Sequence, residues 1–170
     1  MSKPSPTTYP PYFKKYIDQV EDEDLLAGFQ RQSPQVKNLL GGISEEKSTY
    51  AYAPGKWTIK DLLQHVIDTE RIFCFRAVCF SRKETFSLPG FDENSYAANT
   101  HANERSWRSL TEEFLAVRTA TELLFKSFSE EELSRIGIAN NNPTSVASMG
   151  FITLGHFYHH KKIIEERYFL

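Results

Sequence analysis

Three of the five histidines in the chain are spaced so that they could bind one divalent metal ion. His156 and His160 are one helical turn apart, which places them about 40° from each other on a helical wheel. Met149 and Ile152 fall on the same side of that wheel, so both imidazoles lie on an apolar stripe. Burying a polar ring without a partner costs on the order of 1–3 kcal/mol, and a shared cation would satisfy both rings. The pair by itself leaves two explanations open, a metal site or two hydrogen-bonded core histidines.

His65 is the candidate for the third ligand. It lies on another predicted helix, at the margin of the apolar face, and metal sites in helical bundles use side chains from facing helices. His101 lies in a polar loop and is predicted to be solvated. His159 falls about 60° from His156 on the wheel and is not predicted to be a ligand. Three imidazoles suit zinc, nickel, iron or copper, and an open fourth position would allow water to be activated.

Asp68, Asp92 and Arg118 are candidates for catalytic residues beside the ligands. Asp68 follows His65 on the same helix and could orient a ligand histidine or form an ordinary ion pair. Asp92 lies in a long connection and could approach the metal as a base or cap a short helix. Arg118 lies beside an apolar seam, where it could hold an anionic substrate group or form a structural salt bridge.

Two long helices are predicted in the first half of the chain. The first begins near Asp22–Asp24, since acidic residues suit a helix N-terminus, and Pro34 within it predicts a kink or a short break. The second begins at Thr58, where Asp61 completes a capping box, and runs to about Arg82.

Two further helices are predicted in the second half, after a long crossover connection over residues 83–104 that contains one short helical turn near Asp92–Ala98. The third helix carries an apolar seam from Trp107 to Phe128 at alternating spacings of three and four residues. Residues 137–148 are predicted to be loop, and the fourth helix runs from about Ser148 to Phe169. Four long helices with one long crossover predict an all-α four-helix bundle.

The composition is that of an ordinary globular protein. The formal net charge is −2, and no basic run favours a nucleic-acid or membrane partner. We expect an N-terminal tail and docking segment over residues 1–20 and the bundle domain over residues 21–170. Residues 1–11 lack the apolar core of a signal peptide. Cys74 and Cys79 are five residues apart on one predicted helix, so they point to different sides and should not form a disulfide. These features predict a cytoplasmic protein with reduced thiols.

The second helix is apolar nearly all the way round over Ile72–Phe80, and its phenylalanines point in several directions. Large exposed apolar patches on soluble proteins commonly mark interfaces, and this segment predicts a homodimer through the second helix. The alternative is that the crossover connection folds back over this surface within one chain, using Phe86, Leu88 and Phe91.

Several motifs resemble, in the same order, those of the DinB/YfiT-like superfamily of metal-binding bundles. The second-helix motif YAPGKWTIKDLLQHVIDTERIFCFRAVCFSR spans Tyr52–Arg82. It is followed by GFDENSY at Gly90–Tyr96, by EFLAVRTAT at Glu113–Thr121 and by LGHFYHHKKIIEERYFL at Leu154–Leu170. The resemblance covers the chain from about Tyr9 to its last residue.

This resemblance implies a four-helix bundle with one metal-binding histidine from the second helix and an H-x-x-x-H pair from the last helix. These positions are His65, His156 and His160, the residues that helical spacing also selects. Pro34 is less typical of the family. The superfamily includes metal-dependent hydrolases and thiol-dependent transferases or isomerases, and many members have no established reaction.

Three functional hypotheses follow. The first is a hydrolase in which one divalent ion (zinc, nickel or iron) activates water on a small-molecule substrate. The second is a thiol-dependent S-transferase or isomerase, in which the metal lowers the pKa of a thiol. The third is a non-catalytic metal-binding stress protein. A fourth protein ligand would favour the third hypothesis, whereas an open position beside a pocket would favour an enzyme.

Overall fold

The computed structural model describes residues 2–169 and is predominantly α-helical, as predicted. In chain order, the α-helices are α1 (Lys14–Ile17), α2 (Leu25–Gly41), α3 (Glu45–Ser48), α4 (Ile59–Ser81), α5 (Glu93–Ala98), α6 (Trp107–Ser127), α7 (Glu130–Ser134) and α8 (Val146–Ile163). A hairpin of β1 (Ile136–Ala139) and β2 (Asn142–Ser145) lies between α7 and α8. Short 3-10 helices span Pro6–Thr8, Pro11–Phe13 and Ala102–Glu104, and a π-helical turn, Ile164–Tyr168, continues α8.

The long helices α2, α4, α6 and α8 form the bundle. Helix α4 packs against both α6 and α8, and α2 packs against the same two helices. Among the described residues, no helix is long and apolar enough to cross a lipid bilayer.

The predicted starts of the first two long helices are confirmed. The Asp24 side chain caps α2 by accepting the Ala27 N–H, and Thr58 and Asp61 form the capping box of α4. Of the two alternatives predicted at Pro34, the short break is wrong, because α2 continues through this residue, and the kink stays a prediction. Pro34 lies on the exposed side of α2, where water can hydrogen-bond the backbone carbonyl that loses its usual partner.

The prediction that residues 137–148 are only loop is also wrong. The segment contains the β1–β2 hairpin, and α8 begins earlier than predicted, at Val146. The two-residue turn Asn140–Asn141 has φ angles of 49° and 60°. Positive φ at both turn residues matches the right-handed twist of paired strands, and asparagine tolerates that conformation.

The β1–β2 hairpin packs against the end of α4 and is hydrogen-bonded to the crossover segment. A Cβ atom on Gly137 would lie 1.8 Å from Cδ1 of Phe80, so only glycine lets β1 lie against α4 this closely. Leu88, in the crossover segment, donates its N–H to the Ile138 carbonyl at 2.9 Å and accepts the Asn140 N–H at 2.9 Å. These contacts fix the crossover segment beside the end of the bundle.

The apolar core is divided in two by a buried polar layer. One cluster contains the N-terminal half of α2 with the C-terminal half of α4, and the other contains the remaining halves of these helices. Each long helix has at least one buried polar residue at this boundary, and these residues include Gln32, Glu70, Arg118 and His156. The polar groups that could do chemistry or specify packing are therefore concentrated at mid-bundle.

The N-terminal segment lies tightly against α8. Tyr16 and Ile17 of α1 are buried, and a Cβ atom on Gly155 would lie 2.0 Å from the Tyr16 carbonyl oxygen. Because that neighbour is backbone, it cannot move aside as the end of a flexible side chain could. Close packing of α1 therefore depends on glycine at this position of α8.

We expect Gly155→Ala to displace α1 from α8 and to lower the free energy of unfolding by about 1–3 kcal/mol, the range for overpacked sites. Urea denaturation measures this loss, and limited proteolysis should cut the N-terminal segment faster. Gly41→Ala is the matched control, because a Cβ atom there meets no other atom within 4 Å. Equal stability of the two variants would contradict the tight docking of α1.

Candidate metal centre

The structure brings together the three histidines that were predicted as metal ligands. His65 lies on α4, and His156 and His160 lie on consecutive turns of α8, which packs against α4. The Nε2 atom of His156 is 3.1 Å from Nε2 of His65 and 3.0 Å from Nε2 of His160. Their candidate ligand atoms all lie within 4.8 Å of one another.

The spacing of these nitrogen atoms fits one small divalent ion. Two nitrogens that are each 2.0–2.1 Å from a tetrahedral ion are about 3.3 Å apart, close to the separations from His156. Within residues 2–169, the group of potential donors consists of these three histidines alone. Imidazole donors are compatible with zinc, nickel and iron, so the donor set does not select one metal.

All three imidazoles are buried, and burial favours their uncharged form. Burial lowers the pKa of His65 to about 4. Burial, followed by the neighbouring histidines, lowers the pKa values of His156 and His160 well below the usual range. Each ring therefore keeps a nitrogen lone pair near neutral pH, which is the form that binds a metal.

Aromatic side chains hold the histidine rings in place. Trp57 packs on His65 with a centroid distance of 5.0 Å, and Tyr16 packs edge-on against His156 at 5.4 Å. The Trp57 backbone is itself anchored, because the Tyr168 hydroxyl donates to its carbonyl at 2.8 Å. The N-terminal segment and the π-helical turn after α8 thus both contribute to the surroundings of the histidines.

A cavity of about 320 Å³ reaches His156 from the side of the crossover segment. Its wall contains rings from three parts of the chain and one cationic side chain: Tyr12, Tyr16, Phe73, Phe91 and Arg76. The volume lies at the lower end of the range for small-molecule sites. The arrangement can therefore place a small molecule beside one of the three clustered imidazoles.

A family model described as the DinB superfamily matches residues 14–164. The chain belongs to the DinB superfamily. The match includes α4 and α8, which carry the three histidines. A search of the curated proteins found no match to this chain.

Two solved structures share the fold of this DinB-superfamily chain. YfiT from Bacillus subtilis, described as a probable metal-dependent hydrolase with an unusual four-helix bundle topology, is 14% identical with a TM-score of 0.69. The alignment covers 96% of this chain and 90% of YfiT. A mycothiol-dependent maleylpyruvate isomerase is 12% identical with a TM-score of 0.67, and the alignment covers 85% of this chain and 61% of that protein. The present chain thus spans less than two thirds of the isomerase, and at these identities the comparisons establish the fold.

The other two histidines of this DinB-superfamily chain lie outside the cluster. His159 is half-buried and packs on the Tyr16 ring at 5.2 Å. His101 is exposed in the crossover segment, with Nδ1 3.4 Å from a carboxylate oxygen of Glu104. The His159 ring also packs edge-on against His160, with a centroid distance of 5.0 Å. Neither His101 nor His159 belongs to the group of candidate ligand atoms that lie within 4.8 Å of one another.

None of the three candidate catalytic residues contacts the histidine cluster. Asp68 accepts a hydrogen bond from the Gln64 side chain at 2.9 Å, and burial raises the pKa of the Asp68 carboxyl. Asp92 caps α5 by accepting two backbone N–H groups. Arg118 forms a buried ion pair with Glu70 at 2.8 Å. For Asp92 and Arg118, the structural alternatives, a helix cap and a salt bridge, describe what the structure shows.

Arg76 is the residue beside the site that the sequence interpretation missed. It is buried and lines the cavity that reaches His156. The signal was available, because Arg76 is the one charged residue within the apolar run Ile72–Phe80. A charge inside such a run calls for either a partner or a function.

Proposed function

We propose that this protein is a metal-dependent hydrolase of small molecules, with His65, His156 and His160 holding one divalent ion. The observation that carries the proposal is a cluster of three uncharged imidazoles with one member in the wall of a cavity. A divalent ion in such a site supplies a Lewis acid that can polarise a carbonyl group or activate water. Zinc, nickel and iron are all candidates for the native ion.

The protein contributes the orientation of the histidines and their burial. Trp57 and Tyr16 restrict the rings of His65 and His156, which fixes where their lone pairs point. His156 is 5% exposed, and electrostatic interactions are stronger at a buried site than in bulk water. The shared fold with YfiT, which is described as a probable metal-dependent hydrolase, supports this reaction class.

The test is hydrolysis by the full-length protein purified without a nickel column and loaded separately with zinc, nickel and iron. We expect turnover of a subset of small esters or amides that follows metal content, stops on chelation and returns when the metal is restored. Absence of turnover across the panel from protein with one tightly held ion per chain would contradict the hydrolase and favour a non-catalytic metal protein.

The alternative enzyme is a thiol-dependent S-transferase or isomerase. The shared fold with a mycothiol-dependent isomerase favours it, although the alignment covers 61% of that protein. The thiol would come from a small molecule, because burial raises the pKa of Cys74 to about 11 and that thiol contacts Thr121. Turnover that requires an added low-molecular-weight thiol would favour this alternative over hydrolysis.

We also propose a homodimer through α4. Within the run Ile72–Phe80, Phe73 and Phe80 are buried in the same chain, whereas Phe75 is 59% exposed and Val78 is also exposed. Of the crossover residues expected to cover this helix, Leu88 packs against the core cluster that contains Phe73 and Phe80, whereas Phe86 is 76% exposed. An uncovered phenylalanine and valine on one helix form an apolar surface that a second copy of the chain can cover.

We expect light scattering across a dilution series to give the mass of two chains, and Phe75→Ser to shift the mass towards one chain. Tyr50→Ser is the control, because Tyr50 is an exposed ring beside Ile59, about 24 Å along α4 from Phe75. A mass of one chain for the unmodified protein at micromolar concentration would contradict the dimer.

A further inference from the structure

Arg76 is a buried cation without an anionic partner among residues 2–169. The residue is 6% exposed, and none of the ion pairs among the described residues includes Arg76. Nη2 donates to the Pro89 carbonyl at 2.8 Å, and the guanidinium lies 5.9 Å from the centre of the Phe91 ring. Arg118 differs in this respect, because its guanidinium forms an ion pair with the buried carboxylate of Glu70.

A buried charge is costly unless something compensates it. The single carbonyl contact occupies one of the five N–H groups of a guanidinium, and no other hydrogen bond joins Arg76 to the described part of the chain. Burial lowers the pKa of Arg76, as expected for a cation removed from water. The remaining N–H groups are therefore available to a ligand in the cavity that the side chain lines.

The other walls of this cavity indicate what kind of anion would fit. Tyr12, Phe73 and Phe91 provide aromatic surface, and His156 is uncharged. Glu93 lies at the exposed rim and adds negative charge, which disfavours a multiply charged anion. One guanidinium balances one negative charge, and its planar fork matches the two oxygens of a carboxylate. A singly charged carboxylate attached to an apolar group therefore matches the charge and the aromatic surface of this cavity better than a dianionic phosphate does.

We propose that Arg76 binds the carboxylate of a small aromatic or aliphatic carboxylic acid, whose apolar body lies among the cavity rings beside His156. This inference rests on the proposed function in that it assigns a substrate class to the same site. Arg76 would select the substrate and orient it, with its carboxylate at the crossover side and the remainder directed to the histidine cluster.

The test measures binding of benzoate and of its neutral counterpart benzamide to the zinc-loaded, full-length protein by titration calorimetry. We expect benzoate to bind more than about 10-fold more tightly than benzamide, since hydrogen bonds to charged groups contribute at least that much. Arg76→Gln should weaken benzoate binding more than about 10-fold and leave benzamide binding unchanged. Arg108→Gln is the control, because Arg108 is an exposed arginine on α6 that contacts Glu112.

Three results would overturn the proposal: equal affinity for benzoate and benzamide, unchanged benzoate affinity in Arg76→Gln, and tighter binding of phenyl phosphate than of benzoate. A carboxylate can also bind zinc itself, so the comparison of benzoate with benzamide is made on the metal-free protein as well. A preference for benzoate that persists without metal supports the proposal even if Arg76→Gln does not fold, and loss of that preference would overturn it. Repeating the titration without metal separates this proposal from the proposed function. Benzoate binding that depends on Arg76 but not on metal would support the carboxylate site even if the chain held no ion.

Discussion

Replacing His65, His156 or His160 with alanine is expected to lower the affinity of the protein for zinc more than about 100-fold. Loss of a residue that merely supports a metal ligand already costs 10–100-fold, and loss of one of three ligands should cost more. The three Nε2 atoms lie close together at mid-bundle, so each removal leaves two donors for the same ion. Competition against a chromophoric chelator measures the affinity.

His159→Ala is the matched control for these variants. His159 adjoins His160 in the chain and is likewise a histidine of α8, but its ring packs on Tyr16 and lies outside the donor cluster. We expect its zinc affinity to stay near that of the unmodified protein. An equal loss of affinity in all four variants would contradict the assignment of ligands.

The second large effect is expected from the buried ion pair in the polar layer. Arg118 donates to the Glu70 carboxylate through Nε at 2.9 Å and Nη2 at 2.8 Å, and it also donates to Gln32. Arg118→Met would leave the buried Glu70 carboxylate without its cation. Removing one partner of a buried pair typically costs about 3–5 kcal/mol of stability, and we expect a loss in the free energy of unfolding of that order.

Urea denaturation of paired variants tests this expectation. The double variant Glu70→Leu/Arg118→Met should recover much of the loss, because apolar residues can replace a buried ion pair at little cost. Arg108→Met provides the control on the same helix, since its pair with Glu112 is exposed and should change stability little. If Arg118→Met were as stable as Arg108→Met, the buried pair could not be a main determinant of the packing at mid-bundle.

Local features of the fold could be predicted from the sequence because they depend on residues close together in the chain. The Thr58–Asp61 capping box is complete within four residues, and the cap of α5 by Asp92 is equally local. The β1–β2 hairpin was missed because its strands have four residues each and its turn uses two asparagines, which also suit an irregular loop. The outcome at Pro34 depended on solvent exposure, which the sequence indicates only indirectly.

The candidate site could be predicted only as far as helical spacing and family resemblance extend. The separation of His156 and His160 by four residues is a local signal. His65 lies 91 residues from His156 in the chain, and it was selected by its position on another predicted helix and, independently, by the family resemblance. The role of Arg118 could not be decided, because its partner Glu70 lies 48 residues away and only the packing of α4 against α6 brings them together. The cavity beside His156 likewise depends on the crossover segment, whose path is fixed by pairing with β1.

X-ray absorption spectroscopy of the zinc-loaded protein tests the proposed three-histidine metal site most directly. We expect one zinc ion per chain with three imidazole nitrogens at about 2.0–2.1 Å. We also expect no sulfur ligand, because Cys74 and Cys79 lie outside the histidine cluster. A zinc environment with fewer than two imidazoles, or with sulfur at about 2.3 Å, would contradict it.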